Sequence, residues 1–248
     1  RAAPASCWSW CVSRRADADA GVALVAAVAA LGTMSLLAVG LAYTSVTDQR
    51  LTQNALAALQ AEALARSGVT AAVVLLDERG DADEPDTLRS SWARDIGPQP
   101  LGAGRVEVRI EDEARRLDVN AVELRDAVGR LLATAGVDPQ RGSAPTAPRM
   151  LLGVGELLSG VDAAAATRLR RQLTTAGEPH VNPNTASREV LLALLQDPTV
   201  VDRLLAERTR APIMIDGLPT EVRQWLTWRG QHYTVRVVAT VGCVRRAV

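Results

Sequence analysis

The sequence predicts an α+β protein. A long N-terminal helix, apolar at first and amphipathic further on, leads into a strand region that an all-helical block interrupts. Three observations predict this. Residues 22–47 carry no charged side chain. The runs RVEVRI at 105–110 and YTVRVVATV at 233–241 alternate with the period of half-buried strands. Between those runs the apolar residues recur at helical spacing.

The N-terminal stretch at 21–42 is nearly all apolar. At ~1.5 Å per residue, the 21 residues from Val22 span ~31 Å, the thickness of a bilayer's hydrocarbon core. Arg14 and Arg15 precede the stretch and the next basic residue is Arg50, so the positive-inside rule puts the N-terminus in the cytoplasm and the long C-terminal part outside. A cleaved secretory signal would be shorter and would stop at its cleavage site. Here the pattern continues. Leu51, Ala55, Ala58, Leu59, Glu62, Ala65 and Val69 follow spacings of three and four and make one helical stripe. Residues 22–76 would then form one nearly continuous helix of ~80 Å, with Gly68 as its weak point. The alternative is a signal anchor followed by an unrelated helix. Small residues (Ala26, Ala27, Ala29, Ala30, Gly32, Gly40) would let this helix pack closely against others in lipid. The stripe from Leu51 through Ala55, Leu59 and Glu62 would need a partner to cover it.

Past Leu76, the segments at 79–86 and 97–104 read as turn-rich breaks. The strand at 105–110 puts Val106, Val108 and Ile110 on one face. EDEA at 111–114 reads as a solvated turn and 115–119 as a short return strand. Helical spacing then marks 123–135, with Leu124, Val128, Leu131 and Leu132 inward and Gly136 as the stop. Further helices are expected at 162–174, 187–196 and 199–209, separated by proline-rich breaks at 138–148 and 178–183. Thr185 reads as a helix N-cap, with Glu189 in the first turn. The last strand presents Tyr233, Val235, Val237, Ala239 and Val241 to one side. Pairing of residues 105–119 with 233–241 would close the base of the helical block.

Composition narrows the function. Twenty-eight basic residues balance 28 acidic ones, which excludes a nucleic-acid binder working by bulk electrostatics. Every basic residue other than the two histidines is Arg and there is no Lys or Phe, which reads as a coding bias. Cys7, Cys11 and Cys243 with His180 and His232 make neither a disulfide framework nor a zinc pattern. Cys7 and Cys11 read as incidental thiols, Cys243 as a small apolar residue at a strand end, His180 as a loop residue and His232 as a cap of the last strand. No nucleophile motif, phosphate loop or His/Cys cluster is present, so no enzyme is expected.

Three separated segments, in order, resemble the K-type minor pseudopilin family of type II secretion (general secretion pathway protein K). Arg14-Arg15 followed by GVALV at 21–25 and the long helix is similar to a prepilin leader. IEDEARRLDVN at 110–120 resembles the family's passage from strand to helical insert. VNPNTASREVL at 181–191 is close to its Val-Asn-Val-Asn-Thr-Ala signature, and LGVGELL at 152–158 resembles a helix start of the family.

The resemblance implies a leader at 1–21 cut between Gly21 and Val22 by a prepilin peptidase, methylation, and a transmembrane segment at 22–47. It implies a pilin-like α/β domain from 48–119 and 227–248, with an inserted α-helical domain at 120–226. Asp112, Glu113, Asn120, Asn182, Asn184 and Thr185 would be structural motif residues. Partners would be I- and J-type minor pseudopilins and the major pseudopilin, in the bacterial inner membrane with a periplasmic C-terminal domain, at the tip of a pseudopilus serving protein export. Ala26 stands where ordinary pilins carry Glu, as suits a tip subunit with no neighbour above. No cofactor is assigned. Calcium is possible by resemblance only, and the solvated-turn reading of 111–113 is preferred over a metal site.

Two rivals remain: a type IV minor pilin, and a membrane-anchored helix-hairpin-helix protein of DNA uptake, which VNPNTA also resembles. Such hairpins grip phosphate with a glycine pair at a helix N-terminus. The segment QDPTVVDR at 196–203 has none, so no nucleic acid is expected.

Overall fold

The computed structural model describes residues 9–80, 84–142 and 150–248, with side chains described from residue 21 onward except 141–142. The chain divides into two compact units, Arg1–Leu59 and Gln60–Val248. Cys7 and the start of the expected leader lie outside the described residues, as do the side chains of Cys11, Arg14 and Arg15.

Helix α1 (Ser9–Asp77) supplies the described part of the first unit and the first element of the second. It runs unbroken past residue 47, so separate anchor and amphipathic helices are not what the chain forms. Residues 21–56 are exposed, and Gly21–Asp77 is, among the described residues, the one helix long and apolar enough to cross a membrane. Four hydroxyl groups of the apolar stretch are satisfied within the helix. Those of Thr33, Ser35, Thr44 and Thr47 donate at 2.8–2.9 Å to the carbonyls of Ala30, Leu31, Leu41 and Tyr43. These four hydroxyls would therefore enter lipid with their donors paired.

In the second unit the end of α1 packs on an antiparallel sheet. Strands β1 (Ile96–Leu101) and β2 (Gly104–Asp112) are joined later in the chain by β5 (Tyr233–Val241) and β6 (Val244–Ala247), in the order β1-β2-β5-β6. Of the expected pairing of 105–119 with 233–241, the part from Arg105↔Thr240 to Asp112↔Tyr233 is present. Val106, Val108, Ile110, Val237 and Ala239 turn inward and are buried with Trp92, Ala65 and Ala72.

The helix face on the sheet differs from the expected stripe. Ala61, Ala65, Gly68 and Ala72, spaced four, three and four, are all buried. Gly68 is no weak point there. A Cβ on it would lie 2.6 Å from Val237 Cγ1 and 2.9 Å from Val106 Cγ1, so its missing side chain is what lets the helix approach the strands.

Three strand expectations are corrected. The supposed break at 97–104 holds most of β1, whose Pro98 and Pro100 are tolerated because the strand is an edge. Beyond it, Gly102 (φ +56°) opens a two-residue turn into β2. Gly242 (φ +55°) opens the matching turn between β5 and β6, which leaves Cys243 exposed instead of packed. Residues 115–119 do not return along β2. A 3₁₀ turn at Glu113–Arg115 redirects the chain into β3 (Leu117–Asp118), which pairs in parallel with β4 (Leu173–Thr174).

Between β2 and β5 the regular structure of the described residues is helical apart from that two-residue ladder and an isolated bridge between Val181 and Leu226. The chain forms α2 (Arg125–Thr134), α3 (Val154–Leu157), α4 (Ala163–Arg170), α5 (Arg188–Leu195), α6 (Pro198–Arg210) and α7 (Thr220–Arg223). Leu124, Val128, Leu131 and Leu132 point inward as their spacing predicts, against Leu117, Leu169, Val190, Leu191 and Val201. Gly136 stops α2 at φ +73°.

A buried carboxylate–asparagine cluster as candidate functional site

The polar residues of the two family-like segments meet at the junction of the sheet and the helical region. Asp112 ends β2 and is 1% exposed; Asn182 and Thr185, in the loop before α5, are 0% and 2% exposed. Asp112 Oδ1 accepts from the Ala114 N–H at 2.9 Å and caps the 3₁₀ turn. Its Oδ2 accepts from Asn182 Nδ2 at 3.1 Å and from the Thr185 hydroxyl at 2.8 Å. Burial pushes the Asp112 carboxyl up to about 6, while the bonds from Thr185, Ala114 and Asn182 act in the opposite direction. Gly230 lies against this carboxylate, and a Cβ there would collide with Oδ1.

Asn182 continues the network. Its Nδ2 also donates to the Asp86 carbonyl at 3.1 Å, and its own N–H donates to the Ala114 carbonyl at 2.8 Å. The Asp86 carboxylate, 3% exposed, accepts from Trp92 Nε1 at 2.8 Å, from the Gly230 N–H at 3.2 Å, from Arg79 Nη1 at 3.2 Å and from the Tyr233 hydroxyl. Arg79 also bonds the Tyr233 hydroxyl, and its guanidinium carbon sits 4.7 Å from the ring centroid. Trp92 meets the same ring edge-on at 5.2 Å. Burial first, then the hydrogen bond and charge of Asp86, raise the Tyr233 hydroxyl, which stays protonated as a donor.

Glu113 lies beside this group. Its N–H donates to the His232 carbonyl, while its carboxylate accepts from Thr234 at 2.6 Å and Arg116 at 3.0 Å. Residues 112–113 are therefore buried and paired, not the solvated turn that their acidity suggested. The reason is that β5 and the loop before α5 cover them.

The two other motif asparagines act as substitutes for backbone. Asn120 accepts from the Leu151 N–H at 2.8 Å and donates to the Leu151 carbonyl at 3.1 Å. Asn184, 4% exposed, does the same to Ile213 at 2.8 and 3.1 Å. Each amide presents one acceptor and one donor to a single residue's N–H and C=O, and so ties down a loop that no strand pairs with. Thr185 is not the expected N-cap. Ser187 caps α5 by accepting from the Val190 N–H, which leaves Thr185 free to bond Asp112.

The rest of the predicted site lies elsewhere. Gly21, Val22, Ala26, Ala30, Gly32 and Gly40 are exposed along α1, with open space around the three glycines. Leu51, Ala55 and Leu59 are also exposed, and Glu62 pairs with Arg66 one turn on at 2.6 Å. Asp86, Arg79, Trp92 and Tyr233 were missed as a group. Only the alternation of the last strand, which points Tyr233 inward, hinted at one of them.

The cluster's hydrogen bonds join the end of β2 to the loop before α5 and Asp86 to the start of β5. Its carboxylate oxygens face N–H and O–H donors, including a guanidinium, so a cation does not fit among them. Among the described residues no group of three or more His, Cys, Asp or Glu side chains is placed to hold a metal ion. A phosphate would not fit the α5–α6 corner either. Asp197 already occupies the N-terminal amides of α6, accepting from Thr199 and Val200 at 2.8 and 3.2 Å.

No family model matches the chain, and no curated protein does. Among solved structures, it is similar to a chain of the GspK-GspI-GspJ complex from the type 2 secretion system of enterotoxigenic Escherichia coli. The TM-score is 0.57 over 80% of this chain and 91% of that one, at 17% sequence identity. The likeness is one of fold, and the fold is pseudopilin-like.

Proposed function

We propose that the chain is a K-type minor pseudopilin of a type II secretion system. It would assemble with I- and J-type minor pseudopilins and the major pseudopilin at the pseudopilus tip, for protein export. One observation carries the reading. A helix long and apolar enough to span a membrane continues without a break into the core of a four-stranded sheet domain, and a helical region separates the two central strands. That architecture resembles a chain of the GspK-GspI-GspJ complex.

In this reading residues 1–21 are a leader that a prepilin peptidase removes, with methylation of the mature protein. Residues 22–47 anchor the protein once in the bacterial inner membrane, N-terminus inside. The pilin-like parts at 48–119 and 227–248 and the helical insert at 120–226 stand in the periplasm. Small residues at Ala26, Ala30, Gly32 and Gly40 leave room for neighbouring helices in the bilayer. Leu51, Ala55 and Leu59, uncovered within the chain, give partner subunits an apolar face, with the Glu62–Arg66 pair at its edge. The work is assembly, not catalysis: the buried cluster spends its polar groups on holding the insert to the sheet.

The test is the N-terminal sequence and intact mass of the membrane-extracted protein, made with and without a prepilin peptidase. A peptidase-dependent cut between Gly21 and Val22 is expected. An uncut chain, or one cut beyond the apolar stretch, overturns the reading. Co-expression with I- and J-type pseudopilins should then give a stable ternary complex. A cut chain that forms none would belong with the type IV minor pilins instead.

A further inference from the structure

The helical region carries an open groove of about 380 Å³ between α2, the α5–α6 corner and α7. Four carboxylates line it, from Glu123, Asp126, Asp197 and Glu221, against the single cation Arg130, a net charge of −3. Arg130 is already engaged, since its Nε donates to the Ala193 carbonyl at 2.7 Å. Glu123, Asp126 and Glu221 form no ion pair among the described residues. Between these charges Leu195, Val222 and Trp225 are only half-buried, which leaves an apolar floor open to solvent.

We propose that this groove docks a polypeptide segment of a partner protein in which Arg or Lys residues flank one or two large apolar side chains. Each half of that chemistry answers a feature of the groove. An apolar side chain seated on Trp225 and Val222 takes both surfaces out of water. Cations on either side meet Glu123, Asp126 and Glu221, which form no ion pair among the described residues, next to a low-dielectric wall where attraction is screened less than in bulk water. Acidic segments and nucleic acid are repelled by the same charge. This proposal does not rest on the secretion reading.

The test uses the full chain in uncharged detergent and fluorescence anisotropy of three labelled dodecapeptides. One alternates Arg with Leu, one alternates Glu with Leu, and one alternates Arg with Ser. Saturable binding of the Arg–Leu peptide is expected, at least about tenfold tighter than either control. The triple variant Glu123→Gln, Asp126→Asn, Glu221→Gln changes exposed positions only and should melt like the parent while losing about tenfold in affinity for that peptide. If the variant binds the Arg–Leu peptide as the parent does, the attraction lies elsewhere and the proposal fails. It also fails if the parent does not bind it, or binds the Arg–Ser peptide equally well.

Discussion

The Thr185 hydroxyl donates a 2.8 Å hydrogen bond to Asp112 Oδ2 across 73 positions of sequence. The last residue of β2 thus holds the loop that starts α5, and both partners are buried. Replacing Thr185 with Val keeps the shape and removes a donor to a charged acceptor. We expect a loss of about 1.5–3 kcal/mol in urea unfolding, and Thr185→Ser should restore most of it.

Asp112 also makes stability depend on pH. Burial raises its carboxyl from 3.8 to about 6 in the folded protein, so between those values the folded state binds a proton that the unfolded chain does not. The contribution is therefore fully present below about pH 4 and is lost as pH rises through about 6. Melting curves of the parent and Asp112→Asn across this range should diverge, with the variant giving the flatter profile. Parallel profiles would show that Asp112 titrates as an ordinary carboxyl.

Asn184 ties down Ile213 through both its N–H and its C=O. Asn184→Ala leaves both groups without a partner in a site too closed for easy hydration. A loss of about 2 kcal/mol is expected, with faster amide exchange at Ile213 as the local signature. Exchange that accelerated evenly throughout the helical region would instead indicate global loosening.

Gly68→Ala should destabilise, although alanine is the better helix former by about 1 kcal/mol. The new methyl would press on Val237 and Val106, whose branched side chains are held by the sheet, and overpacking of this kind costs about 1–3 kcal/mol. A rise in melting temperature would mean that the helix can ride away from the strands without loss.

The sequence carried much of the fold and part of the site, for identifiable reasons. Alternation at 105–110 and 233–241 was legible because one face of each strand is buried and the other solvated. Strand β1 was not, because its prolines carry the marks of a loop and only its edge position tolerates them. The turns at Gly102 and Gly242 were there to be read as hairpin signals. The polar motif residues could be listed from the sequence, but their burial could not. Whether a carboxylate such as Asp112 is solvated depends on what β5 and the loop before α5 bring over it from far along the chain. Asp86 had no local signal at all. It sits in an acidic, turn-rich stretch and differs from its neighbours only in the partners that the fold supplies.

The register pair Asp112↔Tyr233 has a topological consequence. Strands β2 and β5 are direct antiparallel neighbours, so the ladder treats everything between them as the loop of a single hairpin, whatever its size. The cost of closing such a loop grows only with the logarithm of its length. Residues can therefore be gained or lost among the helices without moving any rung of the sheet. The buried polar cluster at the mouth of that loop acts as a clasp, so the strands below can stay constant while the cargo they carry changes.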